Sequence, residues 1–342
     1  MKSLRILALM HPQLVPPDSL EGHEEKEINV WKTEFDVVST LRKAGHEVQP
    51  LGVQHELQPI REAVETFKPD VVFNLLEEFH SETTYDQNVA SYLELLRIPY
   101  TGCNPRGLII ARGKALAKKL VAFHRIRTPA FAVMPRGKAV RRSAKLSFPL
   151  MVKSATEHAS VGIAQASVVD TDEKLVERVA FVHERLGTDA LVEQYVAGRE
   201  IYVGVLGNDR LTVLPPWELS FGTMQEAANA IATARVKHDL EYQEKWGITE
   251  GPAEDLPPAV VVALPNICKR IYRTIELDGY ARLDFRLTEG GELYFLEANP
   301  NPEIAEKEEF ARSAKHAGMG YADLLQRICR LGIQRTGVIA DS

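Results

Sequence analysis

The sequence predicts an α/β protein with a parallel sheet in its N-terminal part and α+β architecture in its C-terminal part. Strand-like and helix-like segments alternate over about the first hundred residues, an order typical of a parallel sheet covered by helices on both faces. Residues 280–287 and 292–297 read as two strands joined by Thr-Glu-Gly-Gly, which favours a hairpin turn. Hydrophobic residues make up 45% of the 342 positions and charged residues 26%, so a sizeable core is expected and wholesale disorder is excluded.

The N-terminal part supplies the alternating pattern. Its clearest helix has apolar residues on one face, including Ile28, Phe35 and Leu41. Strands are expected at residues 4–10, 46–53, 70–75 and 98–102, and helices at residues 28–44, 60–67 and 88–96.

The middle part begins with a long basic helix, residues 106–125, that the Thr128-Pro129 pair ends. A second helix opens at Thr171, because Asp172 and Glu173 suit a first turn, and it stops at Gly187. Strands are expected at residues 130–134, 149–154 and 190–196, and the dipeptide after the last strand is interpreted as a hinge.

The C-terminal part contains a polar stretch, residues 220–256, that has no clean period and is interpreted as a loop or lid. Strands are expected at residues 200–206, 211–218, 280–287 and 292–297, and helices at residues 258–277 and 321–331.

Net charge and hydropathy indicate whether nucleic acids or membranes are expected as binding partners. The 41 basic and 47 acidic side chains give a net charge of −6, which argues mildly against broad nucleic-acid binding. The longest apolar runs, residues 4–10 and 259–265, fall far below the roughly 20 residues that span a bilayer. No signal-peptide pattern follows the first run, so a cytoplasmic location without membrane contact is expected. The three widely spaced cysteines are predicted to be structural thiols.

The strongest cluster of chemically useful residues lies on the predicted C-terminal hairpin. Alternation along a strand places Arg282 and Asp284 on one face, and Glu297 and Asn299 on one face of the partner strand. Oxygen ligands of this kind suit a hard cation such as Mg²⁺, which completes its shell with waters and phosphates. A solvated polar face of an antiparallel sheet would show the same spacing, and the spacing alone leaves both readings open.

A second cluster follows the predicted strand that ends in Lys153. The loop of residues 154–162 is rich in small side chains, and its backbone amides could cradle phosphate oxygens next to the lysine charge. The glycines of the known phosphate and dinucleotide fingerprints are absent, so a plain hairpin explains this segment equally well.

The order of these pieces resembles the ATP-grasp superfamily, and within it the D-alanine–D-alanine ligase branch. The resemblance covers nearly the whole chain, and it includes Lys114 within the basic helix. The matching segments are FNLLE at residues 73–77, LELLRIPYTG at residues 93–102, PLMVKSATEHASVG at residues 149–162, VEQYVAGRE at residues 192–200, YARLD at residues 280–284 and LEANP at residues 296–300.

The resemblance implies the ATP-grasp fold in three subdomains: residues 1–104, 105–197 and 198–342, the last with a lid at about 220–256. ATP would lie between the antiparallel sheets of the second and third. The residues implied for ATP are Lys114, Lys153 and Lys237 on the phosphates, Glu193 and Val196 on the adenine, and Glu200 on the ribose. Two Mg²⁺ ions, with Mn²⁺ as an alternative, would be held by Asp284, Glu297 and Asn299.

The implied activity is ATP-dependent joining of a small carboxylic acid to an amine through an acyl phosphate, with release of ADP and phosphate. The candidate catalytic residues are Arg282, Lys237, Ser160 and His158, with Arg282 against the acyl oxygen. The alternatives are a D-alanine–D-alanine ligase and a catalytically inactive nucleotide-binding regulatory protein. The family tends to dimerise through its first subdomain, so a homodimer is a further expectation.

The sequence departs from the resembling ligases where they bind their amino acids. His158-Ala159 replaces a glycine-serine pair, and His238 replaces a tyrosine. Glu303 and Lys307 stand where a small glycine-containing loop receives the acceptor carboxylate. Glu27 is the nearest candidate for the glutamate that orients the first amine. A histidine in a loop is often an ordinary surface residue, so a role for either histidine stays open. D-alanyl-D-alanine is therefore not expected to be the main product.

Overall fold

A computed structural model describes residues 2–156, 162–222, 231–233, 235–236 and 239–335. Their strands form a parallel sheet of three strands in the order β2-β1-β3, an antiparallel sheet in the order β4-β7-β5-β6, and a second antiparallel sheet in the order β11-β10-β8-β12-β13, where β9 also pairs with β8. The strands are β1 (Arg5–Met10), β2 (Glu47–Gly52), β3 (Val71–Asn74), β4 (Phe131–Met134), β5 (Leu150–Ser154), β6 (Val168–Val169), β7 (Ala190–Gln194), β8 (Arg199–Leu206), β9 (Thr212–Val213), β10 (Trp217–Ser220), β11 (Thr249–Pro252), β12 (Tyr280–Leu287) and β13 (Leu293–Pro300).

The helices cover the sheets and join them. They are α1 (Glu25–Val30), α2 (Lys32–Lys43), α3 (Gln58–Phe67), α4 (Asp86–Leu95), α5 (Pro105–Arg112), α6 (Lys114–Phe123), α7 (Asp172–Phe181), α8 (Leu240–Trp246), α9 (Pro258–Thr274), α10 (Glu309–His316) and α11 (Tyr321–Ile333). The three sheets fall in turn within the three predicted subdomains, whose boundaries stay a prediction.

The fold class agrees with the sequence, and several element boundaries do not. The helix predicted for residues 28–44 is two helices, because the backbone leaves helical geometry at Trp31. The helix predicted for residues 106–125 is likewise divided at Gly113, which caps both α5 and α6. Residues 98–102 form only an isolated bridge between Val72 and Tyr100. The segment 220–256, expected to be a loop, contains β10's last residue, α8 and β11, and its residues 223–230, 234, 237 and 238 lie outside the described structure.

Alternation along β12 separates a core face from a polar face. Ala281, Leu283 and Phe285 are buried in the apolar core that contains residues of α9, such as Leu264 and Ile271. The intervening residues of β12 therefore face the opposite side of the sheet. This side of the sheet carries the charged residues that the sequence predicted for the C-terminal hairpin.

The middle sheet is built by the same rule. Leu150 and Val152 of β5 and Val192 of β7 pack in the core with Leu175 and Val179 of α7. The side chains between them consequently point to the other face of this sheet. The two antiparallel sheets thus each turn one polar face away from their helices.

Candidate active site

The C-terminal hairpin brings its four polar residues together. Antiparallel pairing places Arg282 opposite Asn299 and Asp284 opposite Glu297, and the register shifts just after Asp284. Thr288 N and Glu292 O close the turn at 3.0 Å. Cross-strand neighbours of this kind have side chains within contact distance. The strand pairing assumed from the sequence is therefore the pairing in the structure.

Arg282, Asp284 and Asn299 form one hydrogen-bonded network. The guanidinium of Arg282 donates from Nε to Asp284 Oδ1 at 2.8 Å and from Nη2 to Oδ2 at 3.0 Å, while Asn299 Nδ2 donates to Oδ2 at 2.9 Å. Arg282 Nη1 also donates to Glu309 Oε1, and the guanidinium lies 4.6 Å from the centroid of the Tyr202 ring. Although burial opposes the charge, the two carboxylates hold the pKa of Arg282 well above its usual value. Arg282 is thus a fixed, permanently charged donor.

A chain of alternating charges runs from the middle sheet to the hairpin. Glu193 Oε1 lies 2.7 Å from Lys153 Nζ, and its Oε2 lies 3.0 Å from Lys118 Nζ. Glu297 Oε2 lies 3.3 Å from Lys114 Nζ and 3.9 Å from Lys153 Nζ. Lys153 therefore links the two carboxylates, one from each sheet.

Burial and ion pairing have opposite effects on the pKa values within this chain of charges. Burial alone would raise the pKa of Glu193, but Lys118 and Lys153 lower it. Burial outweighs the nearby glutamates at Lys114, whose pKa is lowered, and at Lys118, whose pKa falls to about 8. The attraction of Glu193 and Glu297 prevails over burial at Lys153, whose pKa is raised. Glu193 is therefore held ionised.

Sequence reasoning missed Lys118, which is completely buried on α6. Its Nζ also donates to Thr128 Oγ1 at 3.1 Å. The signal was present, since Lys118 follows Lys114 by four residues and so shares its helix face. A buried lysine needs a carboxylate partner, and Glu193 supplies it.

A cleft of about 640 Å³, including its open mouth, lies between the two antiparallel sheets. Its walls combine apolar side chains with charged ones from both sheets. The lining residues include Met151, Lys153, Glu193, Val196, Glu200, Asp284, Leu296 and Glu297. A cleft with this mixture of apolar surface and a few placed polar groups is typical of a small-molecule site.

Glu200, at the start of β8, is fixed by two partners within the cleft. Arg286 Nη2 lies 2.8 Å from its Oε2, and the hydroxyl of Tyr202 donates to its Oε1 at 2.8 Å. Arg286 in turn donates from Nη1 to the carbonyl of Gly198 at 2.8 Å. Gly198 has a φ of 140°, and a Cβ there would meet the carbonyl of Leu287, so the hinge predicted at this position requires glycine.

The hairpin residues fit part of a Mg²⁺ shell. Asp284 and Glu297 offer carboxylate oxygens, and Asn299 offers an amide oxygen. No group of three or more His, Cys, Asp or Glu side chains arranged for a metal ion occurs in the described part of the chain. Mg²⁺ commonly takes only one or two carboxylates and completes its shell with waters and phosphates. The donor set therefore suits an ion that arrives with a phosphate group.

Five positions that the sequence analysis singled out lie outside the described residues: His158, Ala159, Ser160, Lys237 and His238. Glu27 is described, and its carboxylate is exposed on α1, 3.2 Å from His23 Nδ1 and accepting from the Glu24 amide at 3.2 Å.

Comparisons with known proteins place the chain in a family. Residues 119–330 match the family model for the D-ala D-ala ligase C-terminus. A D-alanine–D-alanine ligase from Syntrophotalea carbinolica is 31% identical over 311 residues, which cover 89% of this chain and 91% of that protein. The chain belongs to the D-alanine–D-alanine ligase family. Family membership makes it an ATP-dependent ligase with the ATP-grasp fold, as the sequence predicted.

One further relative and one solved structure are also similar to this chain over most of their length. An uncharacterized protein y4sG from Sinorhizobium fredii is 29% identical over 87% of each chain. The structure of D-alanine–D-alanine ligase from Bacillus anthracis complexed with ATP superposes with a TM-score of 0.73 at 21% identity, covering 97% of this chain and 98% of that one. In the described part of this ligase-family chain, no helix is long and apolar enough to cross a bilayer.

Proposed function

We propose that the protein is a carboxylate–amine ligase that activates a small carboxylic acid as an acyl phosphate and joins it to an amine, releasing ADP and phosphate. The observation that supports this most strongly is the position of Asp284, which holds hydrogen bonds with Arg282 and Asn299 and lines a cleft that Lys153 and Glu193 also line. A site that only bound a nucleotide would have no use for a fixed arginine beside the proposed metal ligands.

ATP is proposed to bind in this cleft, with its phosphates toward Lys114 and Lys153. Phosphoryl transfer depends on positioning and charge neutralisation more than on covalent help from the protein. The buried amines of Lys114 and Lys153 lie 3.3 Å and 3.9 Å from Glu297 Oε2. This carboxylate therefore holds both amines in place before a ligand binds. The main chain at Glu193 and Val196 is proposed to meet the adenine, and Glu200 the ribose.

Magnesium is proposed to bind to Asp284, Glu297 and Asn299, where it would neutralise phosphate charge during transfer. Arg282 is proposed to hold the developing oxyanion on the acyl carbon. Donors of that kind are worth about 3–4 kcal/mol in transition-state stabilisation. The amine nitrogen then bonds to the acyl carbon while the bond from that carbon to the phosphate oxygen breaks, and the nitrogen loses its proton to solvent. Roles for Lys237, Ser160 and His158 stay proposals from the resemblance.

The acyl phosphate can be tested by trapping. Hydroxylamine in place of the amine should give a hydroxamate together with ADP when the protein is supplied with a panel of carboxylic acids. Formation of AMP and pyrophosphate would contradict the proposed intermediate, because it would indicate an adenylate. A cytoplasmic location, a homodimer and the absence of nucleic-acid partners are further parts of the proposal.

D-alanine–D-alanine ligase is the second candidate, since curated relatives at 31% identity carry that name. Three substitutions disfavour it: Ala159, His238 and Glu303 stand where the resembling ligases have hydroxyl-bearing or small residues. Each lost partner for a buried polar group costs about 1–3 kcal/mol. A comparison of kcat/KM for D-alanine with other amines decides between them, and a hundredfold preference for D-alanine would make this candidate the function.

A further inference from the structure

The side chain of Glu309 contacts the proposed oxyanion donor. Arg282 donates from Nη1 to Glu309 Oε1, in addition to the two bonds from its Nε and Nη2 atoms to Asp284. Asp284 and Glu309 are both buried, and only 14% of the Arg282 side chain is exposed. The guanidinium is therefore held between two carboxylates of the protein itself.

Helix α10 fixes the position of Glu309, which is its first residue. The next residue, Phe310, packs against Tyr280 of β12 with ring centroids 5.7 Å apart. One turn further along, Ser313 Oγ donates to the carbonyl of Pro215 at 2.7 Å. These contacts dock the helix on the sheet that carries Arg282. The carboxylate of Glu309 is thus part of the built site.

The three bonds of Arg282 leave room for an oxyanion but not for a second two-pronged partner. A guanidinium has five N–H donors in a planar fork, and a carboxylate binds it best with two parallel bonds. Asp284 occupies the edge formed by Nε and Nη2, and Glu309 occupies Nη1 of the other edge. The ring of Tyr202 covers one face of the fork at 4.6 Å. A single oxygen can still accept from a remaining N–H, whereas a substrate carboxylate could use both nitrogens of the second edge only by displacing Glu309.

The surrounding charges also disfavour a substrate carboxylate. Among the residues that the structure describes at the cleft, Lys114 and Lys153 face Glu297 and Glu193, and both lysines are proposed to bind phosphates. Residues 303–309, which lead into α10, contain four glutamates and one lysine. The side of Arg282 that faces Glu309 therefore does not attract an additional anion.

A carboxylate on the acceptor would come close to these charges. In an α-amino acid a single carbon separates the nitrogen from the carboxyl group, so a carboxylate oxygen lies within about 4 Å of that nitrogen. The nitrogen attacks the acyl carbon whose oxygen is proposed to accept from Arg282, at a donor–acceptor distance of about 3 Å. The acceptor's carboxylate would consequently lie within several ångströms of Glu309, a separation at which like charges repel appreciably.

We propose that Glu309 determines the class of the acceptor: its carboxylate on Arg282 excludes a substrate carboxylate, so that the acceptor is an amine with no carboxylate beside its nitrogen. Aminoalkanes, amino alcohols and amino acid amides belong to this class. The inference rests on the proposed ligase function and names the class of its amine substrate. Glu309 is a specificity-determining residue, because it acts on the acceptor through its charge and through Arg282.

Matched pairs of acceptors test the proposal on the full-length protein. Steady-state ADP release is measured with ATP, Mg²⁺ and the acid that gives the most hydroxamate in the trapping assay. Glycine, D-alanine and L-alanine are compared with their primary amides, which have nearly the same size but no carboxylate. Ethanolamine is added because the nitrogen of an amino acid amide is less basic. We expect kcat/KM to be at least about tenfold higher for the amines without a carboxylate.

Two variants test whether Glu309 causes this preference. Glu309→Gln removes the charge at nearly constant size and should reduce the preference by about tenfold. Glu306→Gln is the matched control, because that side chain is exposed on the same segment, and it should leave the preference unchanged. The ratio between paired acceptors is the readout, since a general loss of structure lowers both members alike. An unchanged ratio in folded Glu309→Gln would overturn the role of Glu309.

The acceptor series and the trapping assay separate this inference from the ligase proposal. Equal or better use of the amino acids by the unaltered protein would overturn the inference and leave the ligase proposal intact, and this comparison does not depend on the folding of a variant. Absence of ADP release with every acid, whether hydroxylamine or an amine is supplied, would contradict the ligase proposal and the inference together.

Discussion

Two buried glutamates, Glu193 on β7 and Glu34 on α2, have opposite electrostatic environments. Glu193 and Glu34 are 3% and 6% exposed. Glu193 lies between two lysine amines, which lower its pKa against the effect of burial. Burial raises the pKa of Glu34 to about 7, and the charges of Glu77 and Glu303 add to this effect. The comparison teaches that lysine amines balance the buried carboxylate on the proposed nucleotide side, whereas burial dominates at Glu34.

The difference follows from how each side is built. The charges of the nucleotide side come from adjacent strands and from α6, so lysines and glutamates meet at fixed register. On α2, the carboxylate of Glu34 is buried, and the charges of Glu77 and Glu303 add to the effect of burial on its pKa. Buried charge without a counter-charge is unfavourable for folding, so the ionised Glu34 carboxylate is expected to lower the stability of the protein.

The largest effect should come from the proposed metal ligands on the nucleotide side. Glu297→Gln keeps the size of the side chain but removes the charge that faces Lys114 and Lys153. If Glu297 also holds Mg²⁺, ADP release should fall by about a thousandfold or more, because neutralisation of phosphate charge is lost. Steady-state ADP release over a range of Mg²⁺ concentrations measures the effect.

The control for this variant is Glu292→Gln, at a half-exposed position on the same hairpin. Its ADP release should be unchanged, and circular dichroism should show that both variants are folded. Near-normal turnover by folded Glu297→Gln would remove Glu297 from the proposed site.

The balanced side was largely predictable from the sequence, and local rules explain why. Alternation along β12 and β13 and a four-residue turn fix which side chains are cross-strand neighbours, so Arg282 and Asn299 could be paired without a structure. The helix boundaries were harder to predict from the sequence. Gly113 interrupts an otherwise regular helical pattern, and apolar periodicity alone does not show where the backbone bends.

The raised pKa of Glu34 could not be predicted from the sequence, although a signal existed. Glu34 occupies the apolar face of α2 together with Val38 and Leu41, a position where a charged residue is unusual. Its neighbours Glu77 and Glu303 are far away in the sequence, and only tertiary contacts bring them to α2. Lys118 was missed for a related reason, because a lysine on a basic helix is ordinarily solvent-exposed.

A second variant tests the balance at Glu193 directly. Lys118→Met removes one of the two amines beside this carboxylate and fills similar volume. Breaking a buried ion pair by removing one partner typically costs about 3–5 kcal/mol, so urea unfolding should show a loss of that size. The double variant Lys118→Met/Glu193→Gln should recover little of it, because the buried amine of Lys153 then loses its nearest carboxylate. Equal stability of the single variant and the unaltered protein would show that Glu193 does not need Lys118.

A third variant tests Arg282 as an oxyanion donor. Arg282→Lys keeps a positive charge but loses the two-pronged hydrogen bond to Asp284. We expect kcat to fall by about a hundredfold to a thousandfold, the usual cost of removing one oxyanion donor, with a smaller change in the affinity for ATP. Single-turnover measurement of ADP formation and equilibrium binding of ATP separate the two. A change confined to ATP affinity would contradict the proposed role.

The smallest predicted effect distinguishes the two glutamates by its dependence on pH. The pKa of Glu34 is raised from 4.5 to about 7 in the folded state, so between these values the folded protein binds more protons than the unfolded chain. The unaltered protein therefore loses stability as pH rises through this window. Glutamine does not titrate, so Glu34→Gln should be equally stable near pH 4.5 and more stable at pH 8, by up to about 3 kcal/mol. Urea unfolding at both pH values measures the gain. Glu193→Gln is the matched comparison, because a lowered pKa makes the Glu193 carboxylate stabilising above its unfolded pKa, and its loss should destabilise the protein at pH 8. A loss of stability for Glu34→Gln at pH 8 would mean that its carboxylate has a partner, and the contrast between the two sides would fail.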